Sequence, residues 1–472
     1  MTRGYDIDTL VARLGSIKHE RNAELVRQKS RDFYWYSPVL KRQLEAVAAD
    51  IVVTPANEAE AAHVLAQCFD LSIPVTARGG GTGNYGQAMP LSGGVVLSLT
   101  GLDQLRLVER GRVAAGAGAL MADVDAAARA KCDRELRIHP TTWKTATIGG
   151  FIAGGSGGIG SITWGGLRDF GNILRLRVLT MEAAPRVLEL TGEALHKVSH
   201  AYGTNGLVTE VEMPLTAATD WVEIIVGFDR FQDAAGYANG LGRQDGILKK
   251  LLSVIAAPSP HDYFLRHRKF LRREASVVLA MIAPESVDAL LAFTRRTRGA
   301  EVVFRSDTAT ADERKGLPPV YELSWNHTTL RALRVDPAIT YLQVLYPFPG
   351  QLELIERIHA RLGEEVRAHL EFARFDGDVT CFGLPLVRFS GEARLDEIIR
   401  IHEDMGAPIF NPHRYTLEEG GMKRTDEVQL AFKREADPKG LLNPGKMLAW
   451  ENPAFDYRSG KVFLFPGLAS AG

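Results

Sequence analysis

Two stretches of this 472-residue sequence combine residue types at spacings suited to chemistry. The first is Arg78-Gly79-Gly80-Gly81-Thr82-Gly83-Asn84, with four glycines in seven residues. Glycine accepts positive φ and puts no Cβ in the way of a close neighbour. Successive backbone N–H groups in such a turn form an anion-binding concavity. A diphosphate is its natural occupant, with the Thr82 hydroxyl and the Asn84 amide as further donors. A P-loop ends in Gly-Lys-Ser/Thr, whereas Gly83 is followed by Asn84. A dinucleotide fingerprint opens a helix after a first strand, whereas this loop follows a second strand and runs into 87–94, where Pro90 argues against a helix. The second stretch, 411–423, holds side chains that transfer protons (His413, Tyr415, Glu418) beside side chains that bind anions (Arg414, Lys423), with a glycine turn between. Glu371, Arg374 and Asp376 form a smaller cluster of the same kind, which also reads as a strand-edge ion pair.

Another glycine region runs from His139 through Pro140, Thr142, Thr147, Gly149 and Gly150 to Gly154-Gly155-Ser156-Gly157-Gly158. Two backbone nests on one domain would clasp a long cofactor from both sides. Trp143, inside this region, reads as a packing residue.

The elements that must position these loops follow from apolar periodicity. Residues 1–48 read as helical, with an aromatic plug at 32–38. Strand 51–53 is followed by a helix that starts at Asn57, three residues before Glu60. Strand 75–77 completes a β-α-β unit and delivers the first glycine loop directly. Strand 95–99, a hairpin about Arg110-Gly111, a helix over 121–131 and strands at 174–180, 187–190 and 203–213 complete this region. Beyond Pro214 glycine thins out. Strands at 222–226, 277–283 and 341–345 alternate with helices at 231–241, 286–298 and 351–362, the pattern of an α+β substrate domain. Loop chemistry returns at 437–446. The domain plan is 1–48, 49–215, 216–430 and 431–472.

Composition excludes several classes. A net charge of -1 argues against a nucleic-acid partner. No apolar run is long enough to cross a bilayer, and the N-terminus lacks a secretory core, so the chain reads as cytoplasmic. The basic stretch 261–273, with Phe264, Leu265 and Leu271 interleaved, reads as a solvated helix face, with peripheral docking on a membrane or an acidic carrier protein as the alternative. The three cysteines form no CxxC pair, which argues against iron–sulfur and structural zinc sites.

The stretches VVTPANEAEAAHVLAQCFDLSIPVTARGGGTG, TATIGGFIAGGSGG, WGGLRDFGNILRLRVLT, GTNGLVTEVEMPL and DPKGLLNPGKM occur in this order. Together they resemble the vanillyl-alcohol-oxidase/PCMH superfamily of FAD-linked oxidases, in particular its D-lactate dehydrogenase and glycolate oxidase subunit branch. The resemblance implies an α+β fold, with a two-subdomain FAD-binding domain and a separate α+β cap domain. It implies that 78–84 holds the diphosphate, that Pro140, Thr142, Thr147, Gly149, Gly150 and Gly157 line the flavin channel, and that Val208 lies near the adenine. It places Asn443 and Lys446 close to the flavin. Thr82 stands where many relatives attach FAD through histidine, and 140–166 contains no cysteine, so the expected FAD is non-covalent. The branch's HxGDGNxH metal motif is not matched by 369–382, and no metal is expected.

The implied activity is oxidation of a 2-hydroxy acid or alcohol by hydride transfer to flavin N5. A base must then take the hydroxyl proton, and a cation helps with a carboxylate substrate. His413, Tyr415, Glu418, Arg414 and Arg374 are the candidates. The alternatives are a sugar or aldonolactone oxidase, or a non-catalytic flavin electron-transfer subunit. The electron acceptor (oxygen, quinone or a carrier protein) and homo-oligomerisation stay open.

Overall fold

The computed structural model describes residues 4–155, 157–420, 423–456, 463–465 and 467–468. The chain divides into two compact units: 1–156, 167–218 and 412–472 form the first, and 157–166 with 219–411 form the second.

In the first unit, strands Ile51–Thr54 and Val75–Arg78 both pair in parallel with Val95–Ser98, which lies between them. The connecting helix Glu58–Asp70 starts at Asn57, whose side chain accepts the Glu60 N–H, and buries Ala61, Val64, Leu65 and Cys68. A six-stranded sheet contains the hairpin of Leu105–Val108 with Arg112–Gly116 and the long strand Leu207–Ala217. Residues 1–48 are not a separate helical segment. Strand Lys18–Glu20 extends the first sheet at Ile51–Thr54, between helices Ile7–Leu14 and Ala23–Lys29. Tyr34, Leu40 and Leu44 pack with Met89 and Tyr415. At the other end of the chain, Leu442 bridges to Val75, so 412–430 and the tail belong to this unit rather than to a domain ending at 430.

The second unit is built on a seven-stranded antiparallel sheet in the order 301–305, 222–228, 276–282, 249–255, 369–375, 378–383 and 344–346. Helix Phe231–Gly242 packs on it through Phe231, Ala234, Ala238 and Leu241. The strand expected over 341–345 is two strands in different sheets, Ile339–Tyr341 and Val344–Tyr346. The basic stretch 261–273 is not one helix. Short turns of helix hold Phe264 and Leu271 in the core, and Arg273 and Arg272 pair with Asp262 and Asp229. Its apolar residues therefore stabilise the unit and offer no docking stripe, apart from exposed Leu265.

Candidate functional site

Strand Val75–Arg78 carries the first glycine loop to its end, and the loop is seated on the second glycine region. A Cβ at Gly79 would collide with Thr147 Oγ1, and one at Gly80 with the carbonyl oxygen of Thr145. Gly81 has φ +68° and lies against the Arg78 guanidinium. Among the described residues, the backbone N–H groups of Gly79, Gly80, Gly81, Thr82, Gly83 and Asn84 donate to no protein acceptor. Arg78 donates to the carbonyls of Gly79 (3.1 Å) and Arg31 (3.2 Å), and its buried Nε has no partner. Residues 79–83 are half-buried and Asn84 is buried, so these amides are left to solvent or a ligand. A row of open amides beside a guanidinium is a cradle for a polyanion, and the diphosphate of FAD fits it.

The turn that follows is held from both ends of the chain. Lys446 Nζ donates to Gly86 O (2.6 Å), and Asn443 Nδ2 donates to Gln87 O (2.8 Å) and Tyr202 O (2.7 Å). Asp32 accepts the N–H groups of Ala88 (3.2 Å) and Tyr34 (2.9 Å). Phe33 N–H donates to Gly83 O at 2.7 Å. Asp32, Asn443 and Lys446 are all buried. Burial pushes the Asp32 carboxyl up and the Lys446 ammonium down, and each charge partly offsets the shift of the other. Lys446 also lies 4.9 Å from the Tyr415 ring centre.

The second glycine region is differently used. Thr147 caps helix Ile148–Gly154 by accepting the Gly150 N–H, while the N–H groups of Ile148 and Gly149 donate to Ala119 O and Ala117 O. Gly155 N–H donates to Phe151 O. Carbonyls of Ile152 and Ala153 receive the N–H groups of His200 and Tyr202, and His200 Nδ1 bonds Gly155 O. Thr142 O accepts from Thr145 and Ala146, Pro140 O accepts from Trp143, and Trp143 stacks on His139 at 4.6 Å. The amides of Ile148, Gly149, Gly150 and Gly155 are thus taken by protein acceptors, unlike those of 79–84. Gly150 keeps an exposed face. Val208 is buried on strand Leu207–Ala217, opposite Val178. Ser156 lies outside the described residues, and Gly157 belongs to the second unit.

The polar segment 411–423 does not converge. His413 is buried, with Nδ1 2.7 Å from Ser37 Oγ, which itself accepts the Leu40 N–H. Arg414 and Tyr415 border an open cavity of about 340 Å³ with Leu44, Val47 and Leu91. Glu418 turns the other way. Its carboxylate accepts the N–H groups of Leu448 (2.9 Å) and Ala449 (3.1 Å), and the Thr425 hydroxyl (2.5 Å), so it anchors the start of helix Leu448–Glu451. Lys423 is buried, donating to the carbonyls of His196 (2.5 Å) and Ser199 (2.6 Å). Gly421 and Met422 lie outside the described residues.

Arg374 also departs from expectation. It sits in the second unit, paired with exposed Asp245 at 2.8 Å, while Glu371 faces the other side of strand His369–Phe375. Glu371 instead meets buried His369 Nε2 (2.7 Å), the Trp325 N–H (2.5 Å) and the Ser253 hydroxyl. His369 Nδ1 faces the carbonyl of Leu384 at 3.2 Å. Periodicity alone signals this pair, as i and i+2 on one strand face. Asp32 was missed because it looks like part of the aromatic plug. Among the described residues no three His, Cys, Asp or Glu side chains form a metal-binding group, and no helix is long and apolar enough to cross a membrane.

Comparison with known proteins points to the same cofactor. Residues 49–188 match the family model described as FAD binding domain. D-lactate dehydrogenase of Archaeoglobus fulgidus is 26% identical over 430 residues, covering 84% of this chain and 91% of that protein. Glycolate oxidase subunit GlcD of Escherichia coli (strain K12) is 24% identical over 439 residues, covering 84% and 83%. A solved structure of alkyldihydroxyacetonephosphate synthase superposes with a TM-score of 0.73 at 14% identity, over 94% of this chain and 86% of that one, a likeness of fold. The chain is thus an FAD-linked oxidoreductase with a PCMH-type FAD-binding domain at 49–188, homologous to D-lactate dehydrogenase and to glycolate oxidase subunit GlcD.

Proposed function

We propose that the protein oxidises a small hydroxylated substrate, a 2-hydroxy acid or an alcohol, by hydride transfer to N5 of a non-covalently bound FAD. The observation that carries this reading is the row of open amides from Gly79 to Asn84 beside Arg78. Bound there, FAD supplies a two-electron acceptor for the carbinol hydride. The names of the relatives, a D-lactate dehydrogenase and a glycolate oxidase subunit, favour a 2-hydroxy acid. Thr82 carries a hydroxyl where an attaching relative has an imidazole, which supports a dissociable cofactor.

We assign the roles as follows. The 79–84 amides and Arg78 bind the diphosphate, and Thr82 and Asn84 add donors. Pro140, Thr142, Thr147, Gly149 and Gly150 give the channel its shape, with Val208 as further lining. Arg414 is the exposed cation that would take a substrate carboxylate, and Tyr415 borders the same cavity. His413 is the preferred proton acceptor over Glu418, whose oxygens are already occupied by three donors. The electron acceptor is oxygen, a quinone or a carrier protein, and the subunit naming of GlcD favours an assembly with other chains. The scatter of His413, Glu418 and Lys423 favours, as a second reading, a flavin subunit that passes electrons without a substrate of its own.

The test is the visible spectrum of the purified protein, before and after acid precipitation, followed by anaerobic mixing with 2-hydroxy acids, sugars and alcohols. Yellow colour released by acid and bleached by a 2-hydroxy acid is expected. Colour retained in the pellet sinks the non-covalent assignment. A reconstituted flavin reduced by dithionite but by no donor selects the electron-transfer reading.

A further inference from the structure

The segment matched to the FAD-binding family begins at residue 49 and ends at 188. Yet the turn that continues the diphosphate loop, 85–88, is fixed by residues outside that span. From the N-terminal side, Asp32 accepts the Ala88 N–H, and Phe33 N–H donates to Gly83 O. The Arg31 carbonyl orients the Arg78 guanidinium. From the C-terminal side, Lys446 and Asn443 donate to the carbonyls of Gly86 and Gln87. Gly86 has φ +72°, and a Cβ there would lie 2.8 Å from Leu44 Cδ1, so the turn lies close against the Leu44 side chain. Asp32 and Lys446 are groups of opposite charge type, both buried, 4% and 0% exposed. A buried charge is tolerated only when paired or fully hydrogen-bonded. Lys446 has one carbonyl, the Tyr415 ring and the field of Asp32.

We propose that the two ends of the chain form a clasp, Asp32 on one side and Asn443 with Lys446 on the other, that sets FAD affinity by locking the turn 85–88 behind the diphosphate loop. These are positioning residues: they act on the cofactor through the loop they hold. The proposal rests on the assignment of 79–84 to the diphosphate.

The test is FAD titration into the apoprotein, followed by fluorescence, for Asp32→Asn, Lys446→Met and the double variant. Asp32→Asn leaves the Lys446 ammonium buried without its counter-charge, and Lys446→Met leaves buried Asp32 with Arg78 as its remaining cation, so each is expected to weaken FAD by about tenfold or more. The double variant is expected to lose less than the product of the two, because both members of the Asp32–Lys446 pair are removed together. Folded apoproteins, checked by thermal unfolding, that bind FAD within about twofold of the parent overturn the clasp.

Should a variant not fold, hydrogen exchange on the parent chain decides. FAD is expected to protect 79–88, 29–34 and 443–447 together. Protection at 79–88 with the two end segments unchanged overturns the clasp alone. No protection at 79–84 overturns the diphosphate assignment, and the clasp with it.

Discussion

The two glycine regions of the first unit have similar composition and opposite uses. In 79–84 the backbone donors are open, and the glycines are needed because the loop lies flush on Thr145 and Thr147. In 147–155 the helix-start donors are taken by Ala117, Ala119 and Thr147, and neighbouring carbonyls by His200 and Tyr202. A glycine cluster is therefore an anion site only where the fold leaves its amides without acceptors. The other cluster is a joint, in which glycine permits close backbone packing.

The largest expected effect is Gly80→Ala. Its Cβ runs into a backbone carbonyl, which cannot swing aside, so the loop must leave its seat. A displacement of this kind costs about 2–3 kcal/mol, and FAD affinity measured on the apoprotein should fall by roughly a hundredfold. Unchanged affinity would break the comparison at its first term.

Gly149→Ala is the counterpart in the joint. Its Cβ would sit 2.5 Å from Ala117 Cβ and 2.8 Å from Ala117 O. Overpacking there should lower the stability of the apoprotein by about 1–3 kcal/mol in denaturant titration, before any cofactor is added. A variant as stable as the parent would show that the joint is loose.

Lys423 gives the joint a pH signature. It holds the carbonyls of His196 and Ser199, and burial pushes its ammonium down to about 7 from 10.5. Between those values the unfolded chain binds the proton that the folded chain has released. The Lys423 contribution to unfolding free energy therefore rises with pH, by up to about 1.4 kcal/mol per pH unit. Below pH 7 both states are charged and the slope vanishes. The difference in stability between parent and Lys423→Met, followed by urea unfolding from pH 6 to 9.5, should climb from about pH 7. A flat difference would mean that Lys423 stays charged.

Gly150→Ala has the smallest expected effect on stability. Its face is exposed, and the nearest atom to a Cβ is Thr147 Oγ1 at 3.0 Å. Apoprotein stability should change by less than about 1 kcal/mol. If the resemblance is right that Gly150 lines the flavin channel, FAD should nonetheless bind several-fold more weakly. Equal loss of stability and of FAD would place Gly150 in the joint alone.

Much of the fold is legible in local sequence because its signals are local. Asn57 capping its helix, the hairpin about Arg110-Gly111 and strand Val75–Arg78 ending at a glycine loop each depend on a few neighbouring residues. The site is legible only as a set of residue types. The segment 411–423 reads as one constellation, yet His413, Arg414, Glu418 and Lys423 leave an irregular backbone in different directions, toward Ser37, an open cavity, a helix start and two carbonyls. Without helical or strand periodicity, spacing in sequence carries no direction in space. Arg374 and Glu371 show the converse: strand periodicity separates them onto opposite faces although they are three residues apart.

Sequence by itself determined where the glycine loop 78–84 begins, and that 78–84 holds no histidine and 140–166 no cysteine to attach a flavin. These are properties of residue identity, fixed before folding. Only the tertiary structure decided which glycine loop keeps its amides open, and which distant residues hold it. Asp32, Asn443 and Lys446 meet one turn from opposite ends of the chain. Hydrogen-bond satisfaction and charge burial are settled by every segment that packs against a group, so no local reading of 78–88 could have named them.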